Sequence, residues 1–190
     1  MTTQKLVLSN CVEGLFRRGV GAQLTPRCRE RLKAAGLDLE GRVEAGYPLE
    51  RWREWLTIAA AELYPELSEA EAHFQLGDRF LAGYFETLFG RVVLPLLRAL
   101  GPRRALGRLQ QNFRSGNNFS EVTVVDHAPG DVEVRVNDVF AKHPHFVMAI
   151  ITRAHEAAGA KDTQLEVQSF DGTACTLRLR WAEASARKVG

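Results

Sequence analysis

"EVTVVDHAPGDVEVRVNDVFAKHPHFVMAIITRAHEAAGAKDTQLEVQSFDGTACTLRLRW", from Glu121 to Trp181, decides the fold. Val132, Val134 and Val136 alternate with Glu133 and Arg135, the two-residue period of a half-buried strand. Val122 and Val124 give a strand before it, and Ala128-Pro129-Gly130-Asp131 supplies the turn between them. The spacing then changes to helical between Pro144 and Gly159. Leu165 and Val167 begin a second alternating pair, which turns at Asp171-Gly172. It returns through Cys175, Leu177, Leu179 and Trp181. The order is strand, strand, helix, strand, strand. Each hairpin has one apolar face, so a four-stranded antiparallel sheet needs helices laid on one side.

The residues before this stretch supply those helices. Ser9 or Asn10 is expected to cap a first helix reaching about Gly19. Thr25-Pro26 opens a second, which Gly36 stops. Trp52, Trp55, Leu56, Ala59, Ala60 and Leu63 share one face of a third, closed by Pro65. Ser68 and Glu71 form a capping box for a fourth. In it Phe74, Leu81 and Leu88 recur every seven residues, interrupted by Gly77, Gly83 and Gly90. Such glycines weaken a helix by about 1 kcal/mol each. They point either to close approach of a backbone or ligand, or to a bent helix. Pro102 starts a last helix, which Ser115-Gly116-Asn117-Asn118 ends. The expectation is an α+β chain: one domain over 1–190, helical over 1–116 and ββαββ over 117–190.

The chemistry of the chain is quiet. A formal charge of +2 in 190 residues gives no global reason to expect nucleic acid. No apolar run is long enough to span a membrane, and no signal peptide is read at the amino end. Cys11, Cys28 and Cys175 are isolated and odd in number, which suits a reducing cytoplasm better than a disulfide framework. No nucleophile elbow, phosphate loop or dinucleotide fingerprint is present. No catalytic residue is therefore assigned, and an enzyme would need a site assembled from dispersed positions.

Two surfaces remain. From Leu88 to Ser120 the chain carries six arginines and no acid. Arg103, Arg104, Arg108 and Arg114 are the candidates for an anion or an acidic protein partner. Phe80, Tyr84, Phe85, Phe113, Phe146 and Trp181 are the candidate walls of an apolar pocket. His143 and His145 flank Pro144 and would need a third ligand from elsewhere to hold a metal. With no His-x-x-x-His or Cys-x-x-Cys spacing, surface or capping roles are preferred and no metal is expected.

"GLFRR", "AAGLDL", "YPLERW", "LYPELSEAEAHFQLGDRFLAGYFETLFG", "LGPRRALGRLQQNFRSGNNF" and "RLRW" resemble a paralogous family of myxobacterial proteins, domain of unknown function 2378. The likeness implies a size and a fold, with no activity attached. The layout is also similar to a superfamily that includes 4-vinyl reductase-type domains, haem nitric-oxide-binding domains and Bet3-like tether subunits. That likeness implies an apolar pocket between helices and sheet, small-molecule or acyl-chain binding, and dimerisation. The chain departs from it in lacking the Tyr-x-Ser-x-Arg motif of the haem domains. It also lacks the cysteine cluster of the reductase type, since Cys175 stands alone. No cofactor is therefore expected, haem and zinc included.

Three readings stay open at this level. One is a non-catalytic cytoplasmic sensor or regulator holding a small apolar or amphipathic ligand. Another is a ligand-free homodimeric adaptor presenting its arginines to an acidic partner. The third is an enzyme with a dispersed site.

Overall fold

The structure, a computed structural model, describes residues 4–182. A short strand β1 (Leu6–Leu8) leads into α1 (Ser9–Val12), which widens into a π-helical turn over Glu13–Gly19. Then come α2 (Pro26–Ala34), β2 (Gly46–Pro48), α3 (Leu49–Leu63), α4 (Glu69–Glu86), α5 (Leu88–Leu106) and α6 (Leu109–Arg114). The remainder is β3 (Val122–Ala128), β4 (Asp131–Val136), α7 (Pro144–Ala157), β5 (Lys161–Phe170) and β6 (Cys175–Ala182).

The last four strands form one antiparallel sheet in the order β3-β4-β6-β5. Its centre is the β4–β6 pairing, with Val132 opposite Leu179, Val134 opposite Leu177 and Val136 opposite Cys175. All six side chains are buried. Burying each large aliphatic contributes about 1.5–3 kcal/mol, so this inner face anchors the domain. The α+β expectation and the ββαββ order are both observed, with α7 and the helical half covering the apolar face.

Local signals explain several helix ends. Thr25 Oγ1 accepts from the Cys28 amide at 3.1 Å, and Gly36 follows α2 at φ +91°. Ser68 Oγ accepts from the Glu71 amide, and the Glu71 carboxylate accepts from the Ser68 amide at 3.0 Å. The Ser68 hydroxyl, donating to the same carboxylate at 2.6 Å, and then the Ser68 amide hold the Glu71 carboxyl below its usual range. The first helix differs from expectation. Its cap position is Leu8 with no side-chain cap, because Ser9 already lies inside the helix.

The fourth helix also stops before Leu88. Thr87 leaves helical geometry, donates to the Tyr84 carbonyl at 2.7 Å and accepts from the Gly90 amide at 3.1 Å. α5 departs at 98° to α4. Inside α5, Gly101 adopts φ +72° and ψ 170°, a conformation only glycine takes readily, and this kinks the helix ahead of Pro102. The glycines of α4 mark close backbone approach. A Cβ on Gly83 would lie 2.1 Å from the Gly14 carbonyl oxygen, and one on Gly77 would lie 2.3 Å from that of Phe146.

A second, two-stranded sheet pairs β1 with β2, and sequence reading gives no hint of it. Its strand β1 also meets the Ser115–Asn118 junction. The Leu8 amide donates to the Gly116 carbonyl at 2.8 Å, the Leu6 amide to Asn118 Oδ1 at 2.8 Å, and Val7 bridges Asn117. Among the described residues no single helix is long and apolar enough to cross a membrane.

Candidate ligand cavity

α4, α5, α6 and α7 meet the Ser115–Asn117 junction around an apolar cavity of about 60 Å³. Phe80, Leu81, Tyr84 and Phe85 come from α4, Val93 and Leu97 from α5, and Leu109 and Phe113 from α6. Ile150 and Ala154 come from α7, Cys11 from α1, and Phe140 from the segment before α7. The spacing follows from helix geometry: residues three and four apart present one face.

One end of the cavity is polar, and its Ser115, Tyr84, Cys11 and Asn117 side chains are hydrogen-bonded. Ser115 Oγ donates to the Asn112 carbonyl at 2.6 Å, so its one proton is committed. The Tyr84 hydroxyl, 3.1 Å away, must therefore be the donor to Ser115 Oγ. Burial pushes the Tyr84 phenol up, against the opposing pull of that bond. The Cys11 thiol donates to the Gly116 carbonyl at 3.2 Å, and burial pushes it up to about 12. Asn117 is 1% exposed and wholly engaged. Its Oδ1 accepts from the Phe119 and Ser120 amides at 3.1 and 2.7 Å, and its Nδ2 donates to the Phe113 carbonyl. This is turn chemistry rather than a free ligand contact.

At the other end, a void of about 10 Å³ shares Leu97, Leu109, Asn112 and Ala154 with the main cavity and is bordered by His155. His155 is 2% exposed, packs edge-on to Trp181 at 4.8 Å, and has an Nε2 without a partner. Burial lowers its pKa to about 4, so the ring is neutral at pH 7.

Four of the six proposed pocket aromatics, Phe80, Tyr84, Phe85 and Phe113, line the cavity. Phe146 lies behind it, in a ring cluster with Trp52, Phe80 and Phe140. Trp181 stands on β6 beside His155. Phe140, Leu97 and Ala154 escaped sequence reading, since neither period nor motif sets them apart from ordinary core. The arginines do not converge. Arg103 pairs with Asp126 at 2.5 Å, and Arg114 donates to the Asn118 carbonyl. Arg104 lies in α5, whereas Arg108 sits at the junction before α6, outside helical geometry.

A family model described as "Protein of unknown function (DUF2378)" matches residues 5–182. The chain belongs to this family. No curated protein matches it. Among solved structures, this DUF2378 chain is similar to the Fe(II) unliganded H-NOX protein from K. algicida. That match has a TM-score of 0.65 at 13% identity and covers 93% of this chain and 97% of the other. It is also similar to an H-NOX protein solved to probe heme distortion, with a TM-score of 0.66 at 12% identity over 92% and 95% of the two chains. A third is an oxygen-binding H-NOX domain related to soluble guanylate cyclases, with a TM-score of 0.57 at 10% identity over 92% of each chain. The DUF2378 fold is H-NOX-like.

These matches correct the expectation of no cofactor. The fold is shared with haem proteins, so a missing Tyr-x-Ser-x-Arg motif is not a sufficient reason to set haem aside. No histidine lines the main cavity, and α5 contains none. Cys11 and Tyr84 are protonated and hydrogen-bonded. The volume of about 60 Å³ is far below the roughly 300–1,000 Å³ of typical ligand sites. Phe140, packed at 5.5–6.2 Å from Phe146, Phe113, Phe80 and Trp52, fills the space beside it. As packed, these residues do not fit a porphyrin.

Proposed function

We propose that this chain is a non-catalytic ligand-binding regulatory domain whose small apolar ligand occupies the cavity between α4, α5, α6 and α7. The observation that carries this reading is the position of α5. Its Val93 and Leu97 wall the cavity, while its Leu88, Phe89 and Val92 are 83%, 65% and 73% exposed. A ligand that shifts this wall changes an apolar outer surface. The H-NOX neighbours include iron, heme and oxygen-binding forms, and their likeness supports the sensor class. Three buried free thiols support a reducing, cytoplasmic setting.

The test has two arms on the purified chain. Xenon NMR is expected to show saturable binding that Ala154→Phe, which fills the cavity, abolishes. Incubation with haemin followed by desalting, read as a Soret band, decides whether the wall opens to a porphyrin. Failure to retain xenon, haemin or any co-purified organic molecule overturns the reading.

The adaptor alternative rests on Arg104 and Arg108, since Arg103 and Arg114 are engaged within the chain. Charge reversal at those two positions separates the readings: xenon binding survives it, whereas capture of an acidic partner does not.

A further inference from the structure

Three histidines, His73 of α4, His143 at the cap of α7 and His145 within it, cluster at the amino end of α7, away from the cavity. His143 and His145 place their Nδ1 atoms 2.9 Å apart. The His143 ring stacks on that of His73 in α4, with centroids 5.6 Å apart and planes inclined by 29°. We propose that His143 and His145, joined by His73, form a binding site for a divalent transition metal of the Zn²⁺ or Ni²⁺ kind.

The first argument is the bite. Imidazole nitrogens bind such ions at about 2.0–2.1 Å, and two of them at right-angled to tetrahedral geometry stand roughly 2.9–3.4 Å apart. The observed Nδ1 separation already meets that value. In the metal-free chain one proton bridges the pair, because a close contact between two ring nitrogens needs one donor and one acceptor. A metal ion would replace that proton.

The second argument is His73. It is 1% exposed, its Nδ1 donates to the Glu69 carbonyl at 2.8 Å, and its Nε2 has no partner. A carbonyl-anchored imidazole with the other nitrogen free is the usual state of a metal-bound histidine. A buried polar nitrogen without a partner is costly, and ligation would relieve it. Among the described residues no three such side chains already converge on one point. The site is therefore a preformed two-nitrogen clip that reaches the free Nε2 of His73 by turning the half-buried His143 and His145 rings, while His73 keeps its bond to the Glu69 carbonyl.

His143 and His145 are both half-buried, which leaves an entry path. A cation at a helix amino terminus meets an adverse dipole, a penalty of about fivefold or less in affinity. The Glu69 carboxylate, whose charge acts on His143, opposes it.

The test is calorimetric titration of the whole chain with Zn²⁺ and, separately, Ni²⁺. One ion per chain is expected, and H143Q with H145Q should weaken binding at least tenfold while H127Q leaves it unchanged. Since H73Q removes a buried ring and can unfold the chain, His73 is read in the unsubstituted protein through the ¹⁵N shift of its Nε2 on adding Zn²⁺. Co²⁺ should give an imidazole-type visible spectrum without a sulfur charge-transfer band. No saturable binding by a folded chain, binding that survives the double substitution, or an unmoved His73 Nε2 overturns the proposal.

Discussion

Arg153 and Asp78 clasp each other across the α4–α7 contact, Nε to Oδ1 at 2.5 Å and Nη2 to Oδ2 at 2.9 Å. The Asp78 bond holds the Arg153 guanidinium firmly charged. Both side chains remain partly solvated, so the two-pronged geometry offsets only part of the screening. Asp78→Asn is expected to lower stability by about 1 kcal/mol. The loss should shrink at molar salt when urea midpoints are compared.

Gly77 sets the approach of α7 to α4. A methyl there meets the Phe146 carbonyl oxygen at 2.3 Å and the Ala149 Cβ at 2.9 Å. Gly77→Ala is expected to cost about 2–3 kcal/mol, as overpacked cores do. At Gly107 the closest atom to an added Cβ is 3.4 Å away, so Gly107→Ala should stay within about 0.5 kcal/mol. Thermal and urea unfolding of the two variants check the contrast.

His155 ties stability to pH. Its pKa falls from the ordinary 6.5 to about 4 on burial. A depressed folded value means the contribution is complete above pH 6.5 and drains as pH falls toward 4. The total is on the order of 3 kcal/mol, with a slope of at most about 1.4 kcal/mol per pH unit. Unfolding free energies measured across that window should follow this slope, and His155→Gln should flatten it. A slope that survives the substitution assigns the effect to other groups.

The thiols should be silent in the folded protein. Burial pushes Cys11 and Cys175 up to about 12 and raises Cys28, and all three are buried. The thiolate is the reacting form. A chromogenic disulfide reagent at neutral pH should therefore count no thiols until denaturant is added, and three afterwards. Prompt reaction of Cys11 would mean that the α4–α5–α6 wall opens readily.

The sheet was readable because its inner face alternates so cleanly: Val132, Val134 and Val136 against Cys175, Leu177 and Leu179 leave one register that hides them all. The capping box at Ser68 and the stop at Gly36 were readable because cap chemistry is local. The break at Thr87 was not, because the seven-residue recurrence runs through it. Leu88 continues the pattern in sequence yet stands 83% exposed in space. The cavity was half readable. Tyr84 and Phe113 are large and conspicuous, whereas Ala154 and Leu97 matter by the room they leave. The histidine stack was invisible in its decisive member. His143 and His145 are neighbours in sequence, but His73 joins them only when α4 packs on α7.

The bonds from Leu6 and Leu8 to Gly116 and Asn118 carry a consequence for synthesis. Those partners are separated by more than a hundred residues, and the entropy of closing so long a loop is unfavourable until other contacts compensate. On the ribosome, β1 has only β2 to pair with until residue 118 has emerged. The strand β1 thus acts as a late clasp, completed after α1 to α6 and just as the first residues of the sheet appear.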